Sequence, residues 1–439
     1  MPIRTVPGTD LSYFLIAFDG DGRERTDDPG GKMSEQAVAA LGRDPYTDVF
    51  VFSHGWQGDV PAAIGQYDNW IRTMAQAPAD VERARQTRPD FRALLIGLHW
   101  PSLPWGEEAL GGASFAPGPG TGAGVERQID AYAERLAGTP AARQALRTIF
   151  DAAMDDAAPP SLPERVREAY QVLDREAGLA ADGPAAPPGA DREVFDPESV
   201  YEEAQAEGPV SFAPGWVGGL LTPLRLLSFW KMKDRARRFG ETGAFDLLTA
   251  LQRAAGERDV RFHLMGHSFG CIVASALVAG PGGRGQLVRP VDSLTLVQGA
   301  MSLWSYCSDV PPAPGQVGYF RSIVAEHKVR GPILTTRTPF DTAVGRFYPL
   351  GAGARQQVSF APGELPKYGA VGAFGLRGPG PVIEDQDMLP VDQRYRFQPG
   401  RVYNLESSAY IRQGSGADGA HGDFLHPEVA HAVWEAALT

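Results

Sequence analysis

Short apolar runs recur along the chain, each separated from the next by a stretch of helical spacing, and this alternation limits the possible folds more than any other feature. The runs are "YFLIAF" (13–18), "DVFVFS" (48–53), "ALLIGLHW" (93–100), "VRFHLM" (260–265), "SLTLVQG" (293–299), "PILTTR" (332–337) and "RVYNLESSAYI" (401–411). Most are near-continuously apolar, as strands buried on both faces must be. Between them lie helix-like patterns: "SEQAVAALGR", "PAAIGQYDNWIRTMAQ", "GAFDLLTALQRAA", "CIVASALVAG" and "HPEVAHAVWEAAL". Ser34 is the expected N-cap of the first. The alternation predicts an α/β fold with a mostly parallel, doubly wound sheet covered by helices on both faces.

Two segments interrupt the pattern and divide the chain. Residues 1–103 and 239–439 carry the strand–helix alternation and form the expected core. Residues 104–238 hold helix-like pieces at 125–137, 141–153 and 163–177 and read as a large, mainly helical insertion. Near 178–192 the Ala/Pro/Gly stretch "GLAADGPAAPPGADREVF" reads as a mobile surface loop outside any core. A second Gly/Pro-rich excursion spans 344–400 and reads as packed loops. The apolar piece 215–233 is interrupted by Pro223 and Arg225, so it does not read as a membrane span. A helix packed on the sheet is its first reading, with a lid over a pocket or membrane-surface contact through 215–232 as alternatives. The adjoining basic run "KMKDRARR" (231–238) reads as a solvated helix face.

Charge and cysteine content exclude several classes. Of 439 residues, 43% are hydrophobic and 21% charged, which is ordinary for a globular protein. A formal net charge of -12 argues against a nucleic-acid partner. The two cysteines, Cys271 and Cys307, give no disulfide framework and no Cys-rich zinc site. No H-E-x-x-H pair, EF-hand loop or G-x-x-x-x-G-K-[ST] loop occurs, so neither a metal nor another cofactor is expected. The start of the chain lacks the pattern of an export signal, from which a cytoplasmic location is the expectation.

Chemistry concentrates in "HLMGHSFGC". Gly266-His267-Ser268-Phe269-Gly270 matches G-x-S-x-G, placed between an apolar run and a helix of small residues. That strand–turn–helix setting is the one in which a serine hydroxyl is lifted clear of the backbone at the carboxyl end of a sheet. Gly266 and Gly270 are needed because a Cβ at either place would collide with the adjoining strand or helix. A serine needs a base, and the base needs an orienting acid; on a fold of this kind the expected chain order is Ser, acid, His. His421, in the Gly-rich loop before the last helix, is the preferred base, with His426 as the alternative. Asp341, after the "PILTTR" run, is the preferred acid, with Asp309 as its rival; capping of the following turn is the purely structural reading of Asp341. The N–H groups of Phe269 and Trp56 are the expected oxyanion hole, with Gln57 next in line for the second donor. His54 is read as a buried histidine bonded to backbone.

Together "VFVFSHGW", "MGHSFG", Asp341 after a late strand and "GAHGDF" before the terminal helix resemble the α/β-hydrolase superfamily, in particular its bacterial lipase- and esterase-like serine hydrolases of unassigned substrate. The "HWPS" at 99–102 adds to that likeness, which covers about 1–102 and 239–439. The resemblance implies a carboxylic ester or thioester hydrolase working through an acyl-enzyme, with the insertion as a cap over the acyl pocket. A small-molecule ester with an apolar part is the implied partner, since Trp56, Trp100, Trp105 and 215–232 are apolar and expected near the mouth. A catalytically silent scaffold that binds a partner and an acyltransferase using the same residues are the alternatives.

Overall fold

The computed structural model describes residues 3–27, 31–56, 60–102, 122–206, 219–348, 365–414, 416 and 418–439. Nine strands form one sheet: β1 (Ile3–Thr5), β2 (Ser12–Ala17), β3 (Asp48–Ser53), β4 (Ala93–His99), β5 (Arg261–His267), β6 (Ser293–Val297), β7 (Ile333–Arg337), β8 (Ile383–Asp387) and β9 (Val402–Glu406). Their order is β1-β2-β4-β3-β5-β6-β7-β9-β8, and among the described residues only β1 runs antiparallel to its neighbour. Alternate side chains of β3 divide between the two faces. Val49 and Val51 join Phe262 and Leu264 of β5 beneath helices α1 (Met33–Arg43), α9 (Phe245–Ala255) and α10 (Gly270–Ala279). Phe50 and Phe52 join Tyr67, Trp70 and Trp434, from α2 (Val60–Ala75) and α11 (Pro427–Ala437), with α3 (Pro78–Thr87) on the same side. The result is an α/β protein whose mostly parallel sheet carries helices on both faces.

The edges and ends depart from the sequence expectation. β8 lies inside the Gly/Pro-rich 344–400 excursion, where packed loops were expected, and pairs in parallel with β9. Its side chains are mostly exposed, so it needed no apolar run. The "RVYNLESSAYI" strand stops at Glu406. Helix α1 is not capped by Ser34: the Ser34 N–H donates 2.9 Å to the Glu24 carboxylate, and its hydroxyl donates to the other oxygen of the same group. An acid from the preceding loop thus satisfies one of the free amides of the helix start.

Within the insertion, α4 (Gly122–Leu136), α5 (Pro140–Asp155), α6 (Glu164–Ala177) and α7 (Pro197–Ala206) bury a separate apolar core. Helix α8 (Thr222–Phe239) joins the two bodies. Its first half gives Leu224, Leu227 and Trp230 to the insertion core, and its second half gives Met232, Ala236 and Phe239 to the sheet core. The basic run on α8 is therefore not a solvated face. Lys233 is buried against Asp191 at 2.5 Å, Arg237 pairs with Asp234 and Glu241, and Arg238 is the exposed member. Nor does 178–192 lie outside a core. Arg192 is 1% exposed, donates 2.8 Å to Asp174, and stacks 4.0 Å above the Trp230 ring. Its guanidinium supplies the partners that Ala/Pro/Gly composition cannot reveal. No helix among the described residues is long and apolar enough to cross a membrane.

Candidate active site

Parallel sheets bind ligands where successive crossovers leave in opposite directions, because the loops there part to open a crevice at the carboxyl ends. In this sheet β4 lies on one side of β3 and β5 on the other, so that point falls between β3 and β5. The loops that follow these two strands carry His54–Trp56 and Ser268–Phe269.

Ser268 adopts a left-handed backbone, with φ at 57°. A non-glycine residue held there costs about 1–3 kcal/mol, so its surroundings must fix it. They do: its N–H donates 3.1 Å to the Val297 carbonyl, and its own carbonyl accepts from Cys271 and Ala300 at 3.1 and 3.2 Å. A Cβ on Gly266 would come within 2.2 Å of the Gly270 carbonyl oxygen, and one on Gly270 within 2.2 Å of the Ser53 carbonyl oxygen. Neither position accepts a side chain while the serine stays in place.

The structure brings Ser268, His421 and Asp341 together. The Ser268 hydroxyl lies 2.8 Å from His421 Nε2, and His421 Nδ1 donates 2.8 Å to Asp341 Oδ2. Asp341 is fully buried and Ser268 is 4% exposed, so the relay runs through a medium of low polarity. Burial by itself would lower the basicity of the His421 ring. The Asp341 charge, the hydrogen bond to it and the Asp418 charge together outweigh burial and hold the imidazole above its ordinary value. Asp341 Oδ1 also accepts the Val344 N–H at 3.2 Å, so the capping role and the contact to histidine coexist on one carboxylate.

The other candidates lie elsewhere. Asp309 is exposed and accepts the Gly315 N–H of its own loop at 2.7 Å. His426 starts α11 and pairs with Asp423 at 3.0 Å. His54 is buried, its Nδ1 2.8 Å from the Gly55 carbonyl oxygen, and burial with the nearby His99 depresses its pKa to about 3. The backbone beside it presses on the serine: a Cβ on Gly55 would meet Ser268 Cβ at 2.6 Å. Phe269 follows the serine directly and Trp56 follows Gly55, and their rings lie 5.8 Å apart. Phe229 of α8 packs against both, 6.0 Å from Trp56 and 5.2 Å from Phe269, and against Tyr348 at 5.8 Å. The insertion thus contributes Phe229 to an aromatic cluster with Trp56, Phe269 and Tyr348, beside the residue that follows the serine. Trp100, expected near the mouth, is instead fully buried and stacked on His54 at 8° between planes. Gln57, Trp105 and residues 215–218 lie outside the described residues.

Sequence reasoning missed the groups that hold the relay. Gln298, buried at the end of β6 with φ at 46°, donates from Nε2 to Asp341 Oδ2 at 2.8 Å. Its Oε1 accepts from the Thr336 hydroxyl at 2.7 Å, which in turn accepts the Gln298 N–H at 2.9 Å. The available signal was a polar residue closing each of two apolar runs, in "LVQG" and "LTTR". His267 Nε2 donates 3.0 Å to the His421 carbonyl, and its ring stacks 4.1 Å from Phe424, which fixes the histidine loop from below. Burial and the neighbouring His421 push the His267 pKa down to about 3, so it is a neutral support.

Among the described residues, one other acid–histidine cluster has the spacing of a metal site. Asp80, His431 and Glu435 hold ligand atoms within 4.8 Å of one another, all buried. Arg83 lies 2.7 Å from Asp80 and also pairs with Glu435, and Arg394 lies 2.8 Å from Glu435. The guanidinium groups neutralise these carboxylates where a cation would have to sit. Comparison of the chain with family models, curated proteins and solved structures returns no match.

Proposed function

We propose that this protein is a serine hydrolase of carboxylic esters or thioesters, belonging to the α/β-hydrolase superfamily and acting through an acyl-enzyme. The carrying observation is the pair of 2.8 Å contacts that link a strained Ser268, through His421, to a buried Asp341. Ser268 Oγ attacks the substrate carbonyl carbon while its proton passes to His421 Nε2. Asp341 keeps the imidazole oriented and stabilises the imidazolium. The N–H groups of Phe269 and Trp56 receive the developing oxyanion. His421 then protonates the departing alcohol or thiol. Water enters, gives its proton to the same nitrogen and attacks the acyl carbon, and the acid leaves as Ser268 regains its hydrogen.

The aromatic side chains of Trp56, Phe229 and Phe269 favour substrates with an apolar acyl or alcohol part, since burying apolar area contributes about 25 cal/mol per Å². A second reading, a catalytically silent binding scaffold, is favoured by the 4% exposure of Ser268. A fluorophosphonate probe separates the two. The hydrolase reading expects covalent labelling of the wild type at Ser268 and none of Ser268→Ala. A wild type that stays unlabelled, and turns over no ester in an apolar panel, leaves the scaffold reading.

A further inference from the structure

The motifs "SHGW" and "HWPS" meet in space, at a place the proposed chemistry has not yet used. Ser102, fully buried just past the end of β4, donates its hydroxyl 2.9 Å to the carbonyl oxygen of Gly55. His54 Nδ1 lies 2.8 Å from the same oxygen. The Trp100 N–H donates toward His54 Nε2 at 3.4 Å, so that nitrogen accepts and Nδ1 carries the ring hydrogen. Two donors therefore hold one carbonyl. The Ser102 oxygen lies 3.4 Å from His54 Nδ1, which closes the three groups into one unit. The Trp100 indole N–H, at 3.2 Å from the His54 carbonyl, fixes the preceding peptide as well.

The Gly55–Trp56 peptide is trans, so its carbonyl and its N–H point in opposite directions across one rigid plane. Gripping the Gly55 oxygen consequently sets the aim of the Trp56 N–H. We propose that Ser102, acting with His54, is a positioning residue that holds the Gly55–Trp56 peptide so that the Trp56 N–H faces the oxyanion formed at Ser268. This rests on the hydrolase reading above. Ser102 touches no reacting atom; its effect passes through the peptide plane, which abuts the nucleophile at Gly55. A mobile plane would place the donor correctly only part of the time, and preorganisation is the source of an oxyanion hole's strength.

The test compares hydrolysis of a p-nitrophenyl ester by wild type, Ser102→Ala, Ser102→Thr and Ser268→Ala across pH, with thermal unfolding followed on each. Ser102→Ala is expected to lower plateau kcat about tenfold, with KM and the pH midpoint unchanged. That is less than the roughly 10²–10³-fold loss on removing such a donor, because His54 keeps its hold. Ser102→Thr, which retains the hydroxyl, restores most of the rate. An unchanged kcat in a folded Ser102→Ala overturns the positioning role, as does a fall that comes with a shifted midpoint or that Thr does not relieve. If Ser102→Ala does not fold, a folded Ser102→Thr whose kcat falls about tenfold or more overturns it equally. Wild type no faster than Ser268→Ala is a different failure: it removes the hydrolase reading itself.

Discussion

His421 and His431 each set Nδ1 against a buried carboxylate, 2.8 Å from Asp341 and 2.9 Å from Asp80. What separates them is the partner of the other ring nitrogen. His421 Nε2 faces the Ser268 hydroxyl, which can either donate or accept, so the ring can be neutral and ready to take a proton. His431 Nε2 faces the Gln393 carbonyl at 2.7 Å, which only accepts. With an acceptor facing each nitrogen, the protonated form of His431 is favoured, and its pKa is displaced upward. Beside it Arg83 and Arg394 pair with Asp80 and Glu435, and the cluster fastens α11 onto α3. The acid–histidine pair alone thus specifies neither catalysis nor structure; the third group decides.

The hardest blow to this contrast is to disarm each acid in turn. Asp341→Asn leaves a side chain of the same shape but no charge to hold the correct tautomer, and kcat is expected to fall roughly 10⁴-fold. Asp80→Asn leaves His431 and Arg83 without the carboxylate charge they share inside the protein. A broken buried pair costs about 3–5 kcal/mol, so the midpoint of urea unfolding should drop while kcat per folded molecule stays level. Equal losses of activity in the two variants would erase the distinction.

The same contrast marks what could be read in the sequence. Strands β3 and β5 were legible because both of their faces are buried and their central residues, Val49–Phe52 and Phe262–Met265, are apolar apart from His263. β1 and β8 lie at the sheet edges, where exposure removes the need for an apolar run. The serine stood out because two backbone collisions require glycines on either side of it. His421 followed from its loop, and Asp341 was preferred over Asp309 from its strand alone. Gln298 and Ser102 were not legible as parts of the site, because a single polar residue after an apolar run has no spacing to reveal its partner. The charged joint on α8 was misread for a related reason: Lys233 looks solvated until Asp191, distant in the chain, is placed beside it.

Gln298 refines the comparison at the next scale down. Asp341 Oδ2 accepts from both His421 and Gln298, whereas the Asp80 carboxylate is met by His431 and the guanidinium of Arg83. A hydrogen bond to a charged group contributes about 1.5–3 kcal/mol. Gln298→Ala is therefore expected to lower kcat by roughly ten- to a hundredfold, with KM little changed. Thr336→Val, which removes only the group that holds Gln298, should lower it less. A Gln298→Ala variant with full kcat would show that the histidine alone orients Asp341.

The smallest effect is the one that reads both histidines in a single protein. A general base works when unprotonated, and Asp341 holds the His421 ring above its ordinary value against the opposing effect of burial. The rate kcat/KM should therefore rise with pH through a midpoint above about 6.5, the unperturbed histidine value. His431 is also displaced upward: burial opposes protonation, but the Asp80 hydrogen bond, the Gln393 carbonyl and the charges of Asp80 and Glu435 outweigh it. A group whose folded pKa is raised contributes stability fully below its unfolded pKa and loses it as pH rises through the folded value. Stability against urea should then fall as pH rises above about 6.5, the unperturbed value, and His421 adds to that fall with the same sign. Asp80→Asn removes the share due to His431, flattening the stability profile while leaving the activity midpoint where it was. Should the activity midpoint move together with the stability profile, the two pairs are coupled and His431 is no longer a purely structural cation.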